Sequence, residues 1–159
     1  MNRRNDLSLC AITALGLVVL SSNAIAHQAA DKDGVEAASK AFYAALTVSD
    51  NGEAMEKVWA HTPYVTMVGP RSKSIMVGWD ALGKHWVGTK KRFSQINVTL
   101  SDQHIHVNGN LAWEMGQESG TLKFMDGRDG KVDFLVTNVY ERIDGRWLMV
   151  SHHVQPKPQ

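Results

Sequence analysis

Cysteine is almost missing from this chain, with Cys10 alone among 159 residues. One thiol cannot close an internal disulfide or build a cysteine-ligated metal centre. An excess of charge of one sign is missing too: 17 lysines and arginines stand against 16 aspartates and glutamates. Such a balance leaves no electrostatic footprint for nucleic acid. A membrane-length apolar run is also lacking. The longest, Leu7 to Leu20, has 14 residues and is broken by Ser8, Thr13 and Gly16, whereas a spanning helix needs about 20. There is no G-x-S-x-G elbow, phosphate loop, H-E-x-x-H pair or dinucleotide-binding glycine pattern. No internal repeat is visible, and no cofactor is implied.

The first 26 residues hold the three parts of a secretory signal: Arg3 and Arg4, the apolar run, and the small-residue exit Ala24-Ile25-Ala26. Cleavage after Ala26 is expected, leaving a periplasmic or secreted chain with no membrane partner. Cys10 would leave with the signal. The 133 residues from His27 onward suit one domain. Residues 27–34, small and polar, are expected as a flexible leader, 35–156 as the domain and 157–159 as a tail.

Val35, Ala38, Phe42, Ala45 and Leu46 recur at helical spacing, which predicts a helix from Val35 to Val48. A second helix is expected over Glu53–Ala60, a strand over Tyr64–Val68 and a third helix over Trp79–Phe93. The basic residues Lys84, Lys90, Lys91 and Arg92 read as a solvated helix end. From Phe93 onward the apolar period drops to two. Turns at Asn108-Gly109-Asn110, Asp126 to Gly130 and Asp144-Gly145 divide this part into four antiparallel strands. Pro156 is a poor ladder residue. The fold class is therefore α+β: a cone-shaped roll with three N-terminal helices on a curved, mostly antiparallel sheet that encloses a pocket.

The phrases Ala41–Pro70, Gly78–Leu82 (GWDAL), Gly109–Glu118 (GNLAWEMGQE) and Thr137–His153 (TNVYERIDGRWLMVSHH), with Pro156, resemble the SnoaL-like group of the nuclear transport factor two-like superfamily. The resemblance spans about Val35 to Pro156. It implies a conical fold with a deep apolar pocket, and frequent homodimers. The group includes isomerases, cyclases and dehydratases beside members that only bind, so fold does not fix function. Compared with the ketosteroid isomerases of this fold, the tyrosine position falls on Phe42 and the general-base position near Met67. The oxyanion acid falls on Asn138. Two of three parts are missing, which speaks against that chemistry.

In the last strand, strict alternation places Trp147, Met149, Ser151 and His153 on one face, with Leu148, Val150 and His152 on the other. In the strand before it, Phe134, Val136, Asn138 and Tyr140 share a face. The resemblance implies that the Asn138 and His153 faces line the pocket. His153 and Asn138 are the candidate catalytic pair, with Glu114 or Glu118 as a carboxylate that could orient the imidazole. Tyr64, Trp79, Trp113, Val136, Tyr140, Met149 and Ser151 are the candidate ligand-binding residues. The expected partner is a small apolar molecule. Enzymatic acid–base work through His153, a non-catalytic dimeric module, and metal binding through His104, His106, His152 and His153 remain the alternatives; no metal residue is assigned.

Overall fold

The structure, a computed structural model, describes residues 13–48, 50 and 52–157. Arg3, Arg4, Cys10 and the start of the apolar run lie outside the described residues. Among those described, no helix is long and apolar enough to cross a membrane.

Asp144 and Gly145 both take positive φ, 51° and 77°. A two-residue hairpin needs that pair of angles to match the twist of its strands. This turn and those near Gly109 and Gly127 split the C-terminal half into β3 (Phe93–Asn108), β4 (Leu111–Phe124), β5 (Asp129–Ile143) and β6 (Arg146–Pro156). Before them come α1 (Thr13–Thr47), α2 (Glu53–Glu56), β1 (Thr66–Val68), β2 (Met76–Val77) and α3 (Trp79–Arg92). The six strands form one sheet in the order β2-β1-β6-β5-β4-β3. β1 runs parallel to β6, and every other pair is antiparallel. The α+β class and the helix-covered, curved antiparallel sheet are as expected.

Bulges bend the sheet between Phe93 and Gln95, between Ser101 and His104, and between Val139 and Tyr140. Gly120 lets β3 and β4 cross closely: a Cβ there would sit 1.9 Å from the Asn97 carbonyl oxygen. The concave face receives α1 and α3. Val35, Ser39, Phe42 and Ala45 of α1 and Leu82 and Trp86 of α3 are buried against it.

Three expectations of local structure need correction. Residues 27–34 are not a loose leader but part of α1. Asp31 pairs with Arg142 of β5, and the Arg142 guanidinium lies 5.3 Å from the Trp147 ring centroid. Those contacts, with Gly34 packed on Trp147, tie the segment to the sheet. The second helix stops at Glu56 rather than Ala60, because Trp59 and Ala60 bridge to Met149 of β6 instead. Pro156 does close the last strand, as its final residue, opposite Phe134.

Lys90 does more than solvate the end of α3. Its Nζ donates to the carbonyls of Ala45 (2.7 Å), Leu46 (2.9 Å) and Val48 (2.6 Å), which the end of α1 leaves without helical partners. Burial holds its pKa below the ordinary lysine value. Lys90→Met is expected to cost about 1–2 kcal/mol by leaving those carbonyls short of a donor. The urea midpoint of the variant checks this.

Candidate functional site

The pairing of β4, β5 and β6 sets Glu114 opposite Asn138, and Asn138 opposite His152. One row of the concave face therefore carries three polar side chains, all buried. Asn138 Nδ2 donates to Glu114 Oε2 at 2.7 Å, and Asn138 Oδ1 lies 2.7 Å from His152 Nδ1. A carboxylate can only accept, so the amide NH2 must face Glu114. Asn138 Oδ1 then accepts from His152, Nδ1 carries the hydrogen, and Nε2 keeps a lone pair. Ser39 Oγ (3.0 Å) and Tyr140 OH (2.9 Å) donate to the same Glu114 oxygen, and the Gln103 amide donates to the other.

Glu118 sits four residues further along the same face of β4, where Tyr43 OH donates to its Oε1 at 2.8 Å. Asn138 Nδ2 also approaches Tyr43 OH, at 3.5 Å, which joins Glu118 to the Asn138–His152 row. Burial pushes the Glu118 carboxyl up to about 7, assisted by the charge of Glu114 and opposed by the Tyr43 hydrogen bond. Burial pulls His152 down to about 3, assisted by His153 and His85. His85 itself is lowered by burial and by the charge of Arg92.

Glu118, His152 and His85 all reach one cavity of about 560 Å³. Its wall is otherwise mostly apolar, with Phe42, Trp86, Ile96 and Phe134 among the lining side chains. A neutral imidazole and a carboxyl that titrates near neutrality thus share an apolar space. A carboxyl held there can take and give back a proton near neutral pH, while the neutral imidazole offers Nε2 as a hydrogen-bond acceptor.

Asn138 does not line the cavity: it is fully buried beside it, with its polar atoms spent on Glu114, His152 and Tyr43. His153 is not in the cavity: it is exposed on the convex face, beside Thr137 and Gln155. The cause is the β6 bulge. Tyr140 pairs with Met149 while Val139 pairs with Ser151, so Val150 is the extra residue and the alternation reverses there. Met149 and His152 therefore both point inward, where strict alternation would pair Met149 with His153. Glu114 and Glu118 accordingly serve the His152 side of the sheet and do not orient His153.

Val136, Tyr140 and Met149, expected to bind the ligand, are buried on the concave side but do not line the cavity. Tyr140 serves the Glu114 network and Met149 the core. Ser151 accepts from Thr66 Oγ1 at 2.9 Å between β6 and β1. Three aromatic candidates lie away from the cavity. Tyr64 is exposed and donates to Glu141 at 2.6 Å. Trp79 stacks on His61, and Trp113 on His106, each at 4.2 Å between centroids.

Tyr43, next to Phe42 on α1, is buried too. The concave sheet covers a wide arc of α1: Phe42 faces the cavity while Ser39 and Tyr43, one turn apart, face the polar network. His152 and His153 do project to opposite faces. His104 lies three strands from His153 across the sheet. Among the described residues, no three histidine, aspartate or glutamate side chains are grouped to hold a metal ion.

A curved sheet closed by helices over an apolar cavity with a few ionisable groups defines a class of small-ligand fold. Within that class, residues 35–155 match the SnoaL-like domain family, and the chain belongs to it. A proposed dehydratase of the NTF2-like family from Streptomyces avermitilis superposes with TM-score 0.73 at 22% identity, over 83% of this chain and 99% of that one. A nuclear transport factor 2-like superfamily protein from Salmonella enterica gives TM-score 0.72 at 20% identity, over 80% of this chain and 92% of that one. The association domain of C. elegans CaMKII gives TM-score 0.62 at 15% identity, over 80% and 97%. At these identities the likeness is one of fold. No curated protein sequence matches the chain.

Proposed function

We propose that this SnoaL-like domain is exported and binds a small, largely apolar molecule in the cavity. The observation that carries the reading is the cavity itself: about 560 Å³, walled by aromatic and aliphatic side chains, with Glu118 and His152 set into the wall. A filled core would have no such space.

A second reading, favoured by that same pair, is acid–base catalysis on the bound molecule. The Glu118 carboxylate would take a proton from the bound molecule and return it at another atom, as a dehydratase or isomerase step requires, while His152 Nε2 accepts a hydrogen bond that holds the molecule in place. The Streptomyces protein of the same fold is a proposed dehydratase. This reading transfers the acid–base role from His153 to Glu118, with His152 as the hydrogen-bonding neighbour.

A homodimer fits the convex face, where Trp113, Met115 and Leu135 are exposed side by side on β4 and β5. The C. elegans neighbour is an association domain.

Native mass spectrometry of untagged protein recovered from the periplasm, repeated under denaturing conditions, tests these points together. The expected result is a chain beginning at His27, a dimer mass, and an organic molecule lost on denaturation. Ile96→Trp, which fills the cavity from β3, is expected to abolish retention with little change in Tm. Retention undiminished in that variant would place the ligand elsewhere.

A further inference from the structure

Resting on the cavity reading above, we infer that the ligand is an amphiphile whose anionic group docks on a cationic ring at the cavity mouth, with its apolar body inside.

The ring is assembled from separate stretches of chain. Arg71 comes from the loop between β1 and β2, Arg92 from the last turn of α3, and Arg128 and Lys131 from the β4–β5 turn and the start of β5. The Met125 amide donates to the Arg92 carbonyl at 3.0 Å, which fastens the end of α3 to the β4–β5 turn. Acids offset only part of this charge. Asp126 pairs with Arg128 at 2.8 Å, and Asp129 lies at the mouth. Among the described residues, Arg71, Arg92 and Lys131 have no carboxylate within ion-pair distance. A cation at the end of α3 also suits the helix dipole, which would explain Arg92 alone. Arg71 and Lys131 end no helix, yet they border the same opening.

The polarity of the interior fixes which way such a ligand lies. The deep wall offers Glu118 oxygens and the His152 Nε2 lone pair, which repel an anion and suit a hydrogen-bond donor. The mouth offers guanidinium forks and an ammonium, which pair with a carboxylate or a similar oxyanion. Low-dielectric walls behind the ring strengthen its field toward an approaching anion.

Calorimetric titration with decanoate and with 1-decanol separates this inference from the cavity reading. Decanoate is expected to bind roughly tenfold more tightly at low salt, with the gap narrowing at high salt. The triple variant Arg71→Gln, Arg92→Gln, Lys131→Gln is expected to bind both equally; its exposed sites should leave Tm unchanged. Equal affinity in the unsubstituted protein would overturn the anionic-head inference and leave the cavity reading standing. Binding of neither probe, or binding unaffected by Ile96→Trp, would overturn both.

Discussion

Replacing Glu114 with leucine is expected to destabilise the protein by about 3–5 kcal/mol, the cost of removing one partner from a buried polar cluster. The two side chains are similar in volume, so little of this is cavity. The loss comes from donors left behind in a dry interior. Ser39 and Tyr140 hydroxyls can rotate toward other acceptors, but the Asn138 amide is held on its other side by His152 and cannot turn. Glu114→Gln keeps the size and one acceptor oxygen. Its NH2 then faces the amide of either Asn138 or Gln103, and a loss of about 2 kcal/mol is expected from one donor–donor clash. Both values are read from the urea midpoint with the slope unchanged. A leucine variant within about 1 kcal/mol of the original would mean that the network contributes little.

The second large effect is in the pH dependence of stability. His152 titrates near 3 in the folded protein against 6.5 unfolded. Between these values the unfolded chain holds the extra proton, so folding loses stability as pH falls. Glu118 titrates near 7 folded against 4.5 unfolded. Between these values the folded chain holds the extra proton, so stability is lost as pH rises. The two slopes are equal and opposite where the windows overlap, from 4.5 to 6.5. Together they contribute a flat profile there.

Removing either partner unmasks the other. His152→Gln is expected to show stability falling with rising pH across the overlap, by about 1.4 kcal/mol per pH unit. Glu118→Gln is expected to show the reverse sign at the same steepness. Urea midpoints collected across this range decide it. Two variants with the same slope as the parent would show that neither group is shifted as described.

Much of the fold was legible because turns are local. Asp144-Gly145 and Asn108-Gly109 announce hairpins by their own backbone needs, and the period-two pattern between them does the rest. The site was harder, because its geometry depends on register. A single bulged residue, Val150, exchanges His152 for His153. The only hint is the run Leu148-Met149-Val150, three apolar residues where alternation should place a polar one. β4 misleads in a second way. It turns Leu111, Trp113 and Met115 outward and Glu114 and Glu118 inward, the reverse of the usual partition. Nothing local marks that inversion; it follows from pairing with β5, whose Asn138 and Phe134 face the same side. Tyr43 lies outside the apolar stripe of α1, yet a concave sheet buries more of a helix than one narrow stripe.

The most direct measurement is imidazole nitrogen NMR of selectively labelled histidines in untagged protein, with His152 assigned through the His152→Gln variant. The expected result is a neutral His152 with hydrogen on Nδ1, still neutral as pH is lowered through 6.5. It also includes an Nε2 resonance that moves when decanoate or decanol enters the cavity. A His152 that protonates near 6.5, carries its hydrogen on Nε2, or ignores a ligand that calorimetry shows to be bound would contradict it.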